Sequence, residues 1–83
     1  MQFSAQIYVT LKPTVNDPQG NAVLGGLHTL GFDSVRSVRV GKYLTLELEA
    51  GDENDAEGQV EAMCERLLTN TVIESYEVTI TPV

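Results

Sequence analysis

Thiols, imidazoles and positive charge are scarce in this sequence, and each shortage removes a class of function. Cys64 is the only cysteine. It cannot close an internal disulfide and has no second thiol for a zinc site, which fits a reducing compartment and leads us to expect a cytoplasmic protein. His28 is the only histidine, so Cys64 with His28 is the one thiol–imidazole pair available for nucleophilic catalysis. No run of eighteen apolar residues, secretory leader pattern or low-complexity tract is present, so the chain reads as soluble, unprocessed and globular, without a membrane partner. Five basic residues against twelve acidic ones give a net charge of −7, which opposes neutralising nucleic-acid phosphates or an anionic membrane.

The little positive charge there is lies together. From Met1 to Tyr43 four basic residues face only Asp17 and Asp33, whereas from Leu44 to Val83 Arg66 alone faces ten carboxylates. The stretch VRSVRVGK, residues 35–42, carries Arg36, Arg39 and Lys42, three of the five basic side chains.

Phe3, Ala5, Ile7, Val9 and Leu11 alternate with polar or half-polar residues, the period of a strand with one buried face. Pro13 closes it. Asp17 followed by Pro18 is a helix start, an N-cap carboxylate and then proline at the first helical position. The helix is expected to bury Val23, Leu27 and Leu30 and to end at Gly31. Gly25 and Gly26 inside it cost about 1 kcal/mol each against alanine, so the helix is either closely packed there or weak. Val38 and Val40 lead into a hairpin at Gly41-Lys42, and Leu44, Leu46, Leu48 and Ala50 alternate on the return. A bulge or odd-length loop keeps Val40 and Leu44 on one face and pairs Arg39 with Tyr43. Asn54 and Glu57 have capping-box spacing, and Ala56, Val60, Met63 and Leu67 recur at helical spacing, predicting a second helix to about Leu68. Tyr76, Val78 and Ile80 alternate in a last strand. The order βαββαβ over residues 1–83 predicts a single α+β domain, a two-layer sandwich of ferredoxin-like order with a four-stranded antiparallel sheet and both helices on one face.

No catalytic, cofactor-binding or metal-ligating constellation emerges. Cys64 neighbours the apolar stripe of the second helix and reads as a packed thiol, with His28 a helix residue rather than a general base. Glu57, Glu61 and Glu65 share a helical face and read as a solvated acidic row rather than a cation site. Gly25 and Gly26 lack the surroundings of a phosphate loop. Two surfaces remain. Tyr8, Thr10, Tyr43, Thr45, Glu77, Thr79 and Thr81 are expected on the uncovered sheet face, suited to a subunit contact as well as to water. Lys12, the Pro13 to Asp17 loop, the first helix start and the Arg39 to Lys42 hairpin are expected at one sheet edge, as solvated turn charges or a docking edge.

The stretches YVTLKPTVNDPQGNAV, LHTLGFDSVRSVRVGKYLTLELEA and VEAMCERLLTNTVIESYEV resemble the PurS family, small subunits of formylglycinamide ribonucleotide amidotransferase, over nearly the whole chain. The most specific pieces are Lys12-Pro13, Asp17-Pro18-Gln19-Gly20 and the run from Val38 through Arg39, Gly41, Lys42 and Tyr43. Gly25, Gly26 and Thr71 depart from the family pattern and touch local helix and loop stability. The resemblance implies a noncatalytic bridge, itself a homodimer or homotetramer, between a PurL-like synthetase and a PurQ-like glutaminase. ATP and magnesium then belong to the large partner, and no cofactor to this chain. It also implies a docking edge of Lys12, Pro13, Asp17, Pro18, Gly20, Arg39, Gly41, Lys42 and Tyr43. Two other readings fit the same element order: an ACT-like sensor domain, for which a first-helix glycine matters, and an acyl phosphatase, which needs an arginine after the first strand where this chain has Lys12 and Pro13.

Overall fold

A computed structural model describes all residues, Met1–Val83. The strand β1 spans Gln2–Leu11, the helix α1 Pro18–Thr29, the strand β2 Gly41–Glu49, the helix α2 Glu53–Met63 and the strand β3 Glu74–Pro82. Strand β1 is central: the sheet order is β2-β1-β3, and both neighbours run antiparallel to β1. Its alternation works as the sequence implies, with Phe3, Ala5, Ile7 and Val9 fully buried. The core joins Ala5, Ile7 and Val9 to Val60 and Cys64 of the overlying helix, with Leu44, Leu46, Leu48, Val78 and Ile80 half-buried around them.

The sheet has three strands, not four. The three present are the first, third and fourth of those predicted, in the predicted spatial order; the missing one is the edge strand through Val38 and Val40. Gly41 and Lys42 are not a turn but the first residues of β2, opposite Thr10 and Val9. The chain therefore enters β2 without reversing, and a segment cannot pair with the strand it continues. Tyr43 accordingly faces Tyr8, not Arg39. Gly41 permits this register, because a Cβ there would stand 2.6 Å from the Val9 carbonyl oxygen.

Only α2 covers the sheet, lying over β3 and β1. Helix α1 projects instead, and the chain measures 51 × 27 × 14 Å. Val23 and Leu30, expected in the core, are 46% and 75% exposed, and Leu27 is only half-buried. Helix α1 starts as predicted, with Asp17 capping and Pro18 in the first turn, and Gly31 adopts φ 95° just beyond its end.

Helix α2 starts earlier than the Asn54–Glu57 spacing suggested. Asp52 is the N-cap and accepts from the Asp55 N–H at 2.7 Å, while the Asp55 carboxylate accepts from the Gly51 N–H at 2.9 Å. The same reciprocal chemistry operates two residues upstream. The last turn, Cys64–Leu68, is π-helical and closes with the Thr69 N–H donating to the Cys64 carbonyl. One extra residue in that turn rotates the apolar stripe, so Cys64 is buried and Leu67, predicted inside, is 83% exposed.

Candidate functional site

The basic end of the sheet is built around one carboxylate. The Asp17 side chain accepts from the Gly20 N–H at 2.9 Å, as a helix cap does, and from the Val40 N–H at 2.7 Å. It thereby ties the start of α1 to the segment entering β2. These N–H donors, chiefly that of Val40, hold the Asp17 carboxyl below its ordinary value, and the nearby Arg39 charge acts in the same direction. The join is tight: a Cβ on Gly20 would collide with the Val38 carbonyl oxygen and stand 2.7 Å from Asp17 Oδ2.

The cations of the cluster satisfy carbonyls of neighbouring loops. Arg39 Nη2 donates to the carbonyl oxygens of Lys12 and Val15, at 3.0 and 2.8 Å, so this side chain clamps the turn containing Pro13. Lys12 Nζ donates to the Thr71 carbonyl at 2.8 Å. Lys42 Nζ donates to the Leu68 carbonyl at 3.2 Å and lies 3.8 Å from the Glu74 carboxylate. An ammonium has three donors, so Lys12 and Lys42 each retain N–H groups for an outside acceptor. Arg36 makes no hydrogen bond or ion pair and is exposed, whereas Lys42, Gly41, Asp17 and Glu74 line a shallow cleft of about 220 Å³.

Lys12, Asp17, Gly20, Arg39, Gly41 and Lys42 are thus brought together, with Pro13 in the turn after β1 and Pro18 at the start of α1. Tyr43 is not with them. Its ring stacks on Tyr8 at 4.7 Å on the opposite sheet face, and desolvation there, with the neighbouring phenol, raises its pKa. That open face also carries Thr10, Thr45, Glu77, Thr79 and Thr81, as the alternation predicted. Sequence reasoning missed the loop after α2, whose Leu68 and Thr71 carbonyls receive the two lysines. Asn70 is its one legible signal, since its side chain accepts from the Val72 N–H in an Asx-type turn.

Cys64 is fully buried in the core, and burial pushes its thiol pKa up. His28 lies at the far end of α1, its Nε2 2.7 Å from the Val35 carbonyl oxygen. Gly25 and Gly26 border open space, which answers the packing question at those positions and builds no wall for a sensor ligand.

A sheet with one helix-covered face, one open aromatic-and-threonine face and a projecting helix is a small α+β protein whose distinctive features lie on its surfaces. Residues 4–82 match the family model PurS, described as phosphoribosylformylglycinamidine (FGAM) synthase. A Synechocystis phosphoribosylformylglycinamidine synthase subunit PurS is 55% identical over 74 residues, which cover 89% of this chain and 74% of that protein. The fold is similar to Bacillus subtilis PurS, with a TM-score of 0.88 at 44% identity, covering 96% of this chain and 99% of that one. It is equally similar to a chain in the structure of PurLQS from Thermotoga maritima, with a TM-score of 0.89 at 34% identity, covering 98% and 99%. The chain belongs to the PurS family.

Proposed function

We propose that this chain is the noncatalytic bridging subunit of phosphoribosylformylglycinamidine synthase in purine biosynthesis. The match to PurS across residues 4–82 carries this reading, and the likeness to a chain of a PurLQS assembly supports it. In the reaction an amide oxygen of formylglycinamide ribonucleotide is activated by ATP and replaced by ammonia from glutamine. A PurL-like partner holds ATP, magnesium and the nucleotide, and a PurQ-like partner releases the ammonia. This chain, as one domain and as a homo-oligomer in the cytoplasm, holds the two together so that ammonia passes without escaping. No helix is long and apolar enough to cross a membrane. The basic end, from Lys12 and Pro13 through Asp17, Pro18 and Gly20 to Arg39, Gly41 and Lys42, serves as the docking edge, without Tyr43, which lies on the open sheet face. Its spare lysine donors set orientation and association rate.

The test is amidine formation by the two partner enzymes with and without this chain. Restoration of the glutamine-dependent reaction alone, with ammonia-dependent synthesis unchanged, is the expected result. An equal response of both reactions, or of neither, refutes the bridge.

A further inference from the structure

The loop between α2 and β3 is bonded more heavily than a turn requires. Asn70 is its hub. The Asn70 carbonyl accepts from the Ile73 N–H at 3.1 Å and the Glu74 N–H at 2.7 Å, and its side-chain oxygen accepts from the Val72 N–H at 3.2 Å. Its own N–H donates to the Glu74 carboxylate at 2.7 Å. The basic end holds the loop from outside: the Lys12 N–H donates to the Ile73 carbonyl at 2.8 Å, Lys12 Nζ to the Thr71 carbonyl and Lys42 Nζ to the Leu68 carbonyl. The Ile73 to Asn70 bond alone closes a turn, and the others remove its motion.

What is held still is apolar. Val72 stands at the tip, 79% exposed, with Ile73 behind it at 38%. Residues 67–73 carry no charge, although the chain from Leu44 onward carries ten carboxylates. Depletion of charge is the mark of an interface centre, and a side chain on a loop that is already fixed loses little freedom when it is covered. The two side chains that reach the loop from the β1 end and from β2 are both ammonium groups, with N–H donors left over beside it.

We propose that Val72 is the apolar anchor of the docking edge. Loop 70–73 enters a shallow apolar socket on a partner subunit, and carboxylates at the rim of that socket take the spare N–H groups of Lys12 and Lys42. The uncharged tip calls for the apolar floor and the two cations for the acidic rim. A small free anion would use the lysines and leave Val72 in water. The proposal rests on the docking-edge reading above and adds the loop and the chemistry of the surface it meets.

The experiment titrates the full chain into fixed amounts of the synthetase and glutaminase partners and reads the concentration that restores half of the glutamine-dependent rate. Val72→Ala should raise that concentration roughly tenfold, through the loss of about two buried methylene equivalents, without lowering the maximal rate. Val72→Asp, facing an acidic rim, should raise it more than about a hundredfold. The loss in Val72→Ala should be the same at low and high salt, whereas that of the Lys12→Ala, Lys42→Ala double change should shrink as salt rises. Light scattering and circular dichroism should match the parent in both Val72 variants, since the side chain lies outside the core. An unchanged half-saturation in both, with the lysine change still costly, overturns the anchor and leaves the docking edge standing. Losses at Val72 with none at the lysines overturn the acidic rim and the docking edge together, and no response to any of the changes overturns both proposals. A fall in mass in Val72→Ala would put a second copy of this chain on the loop and overturn the partner socket.

Discussion

Two glycine-to-alanine changes in the same helix should move stability in opposite directions. At Gly20 an added Cβ runs into the Val38 carbonyl oxygen and crowds Asp17 Oδ2, both fixed in place by the cap and by the Val40 N–H. Backbone cannot yield as a side-chain tip does, so the change falls in the overpacking range of about 1–3 kcal/mol, offset by less than about 1 kcal/mol of helix propensity. A net local loss of about 1–2 kcal/mol remains. At Gly25 nothing lies within 4 Å of the added atom, so propensity acts alone and the gain is up to about 1 kcal/mol. Because α1 stands apart from the sheet, global unfolding is an insensitive probe, and native-state hydrogen exchange is the suitable assay. The Asn21 amide, which donates to the Asp17 carbonyl in the first turn, reports the outcome. Its protection should fall roughly 5- to 30-fold in Gly20→Ala, and amides later in α1 should gain up to fivefold in Gly25→Ala. Unchanged protection in Gly20→Ala would refute the account of the Asp17 join.

The same join has a pH signature. The Asp17 pKa is depressed in the folded chain, so its contribution is complete above the unfolded carboxylate value and is lost as pH falls through the lower folded value. Exchange at the Val40 amide should therefore accelerate with acid, beyond its intrinsic pH dependence, in the parent. In Asp17→Asn, where an amide replaces one acceptor oxygen, it should already be fast at neutral pH. Replacing Lys12 and Lys42 by alanine should lower the association rate with the partner subunits and reduce its salt dependence while circular dichroism stays unchanged, because each lysine gives up one carbonyl bond and Lys42 in addition only a long ion pair to Glu74; equal rates at low salt would remove these residues from the docking edge. Arg39→Ala should behave differently, raising exchange across residues 12–17 because it clamps two carbonyls there. Val60→Ala, at a fully buried site, removes about two methylene equivalents and leaves a cavity, costing about 2–3 kcal/mol in urea unfolding; a loss below about 1 kcal/mol would mean the core collapses around it.

What was legible in the sequence depended on whether a residue's role is settled by its near neighbours. Alternation fixed β1 and β3, and Asp17-Pro18 marked the start of α1, because caps and strand faces are decided within a few positions. The gathering of Lys12, Asp17, Arg39 and Lys42 was also legible, though its chemistry was not. Arg39 proves to be a clamp on the Lys12 and Val15 carbonyls, and backbone acceptors have no letter in a sequence. The missing strand failed for a related reason. Val38 and Val40 alternate as edge-strand residues do, and Gly41-Lys42 has turn chemistry, so local rules favoured a hairpin. Whether the chain reverses there depends on how far β1 offers partners, and β1 pairs out to Thr10 opposite Gly41. Local patterning in 18–40 thus encodes a strand and an apolar helix, while straight entry into β2 leaves neither of them packed on the sheet.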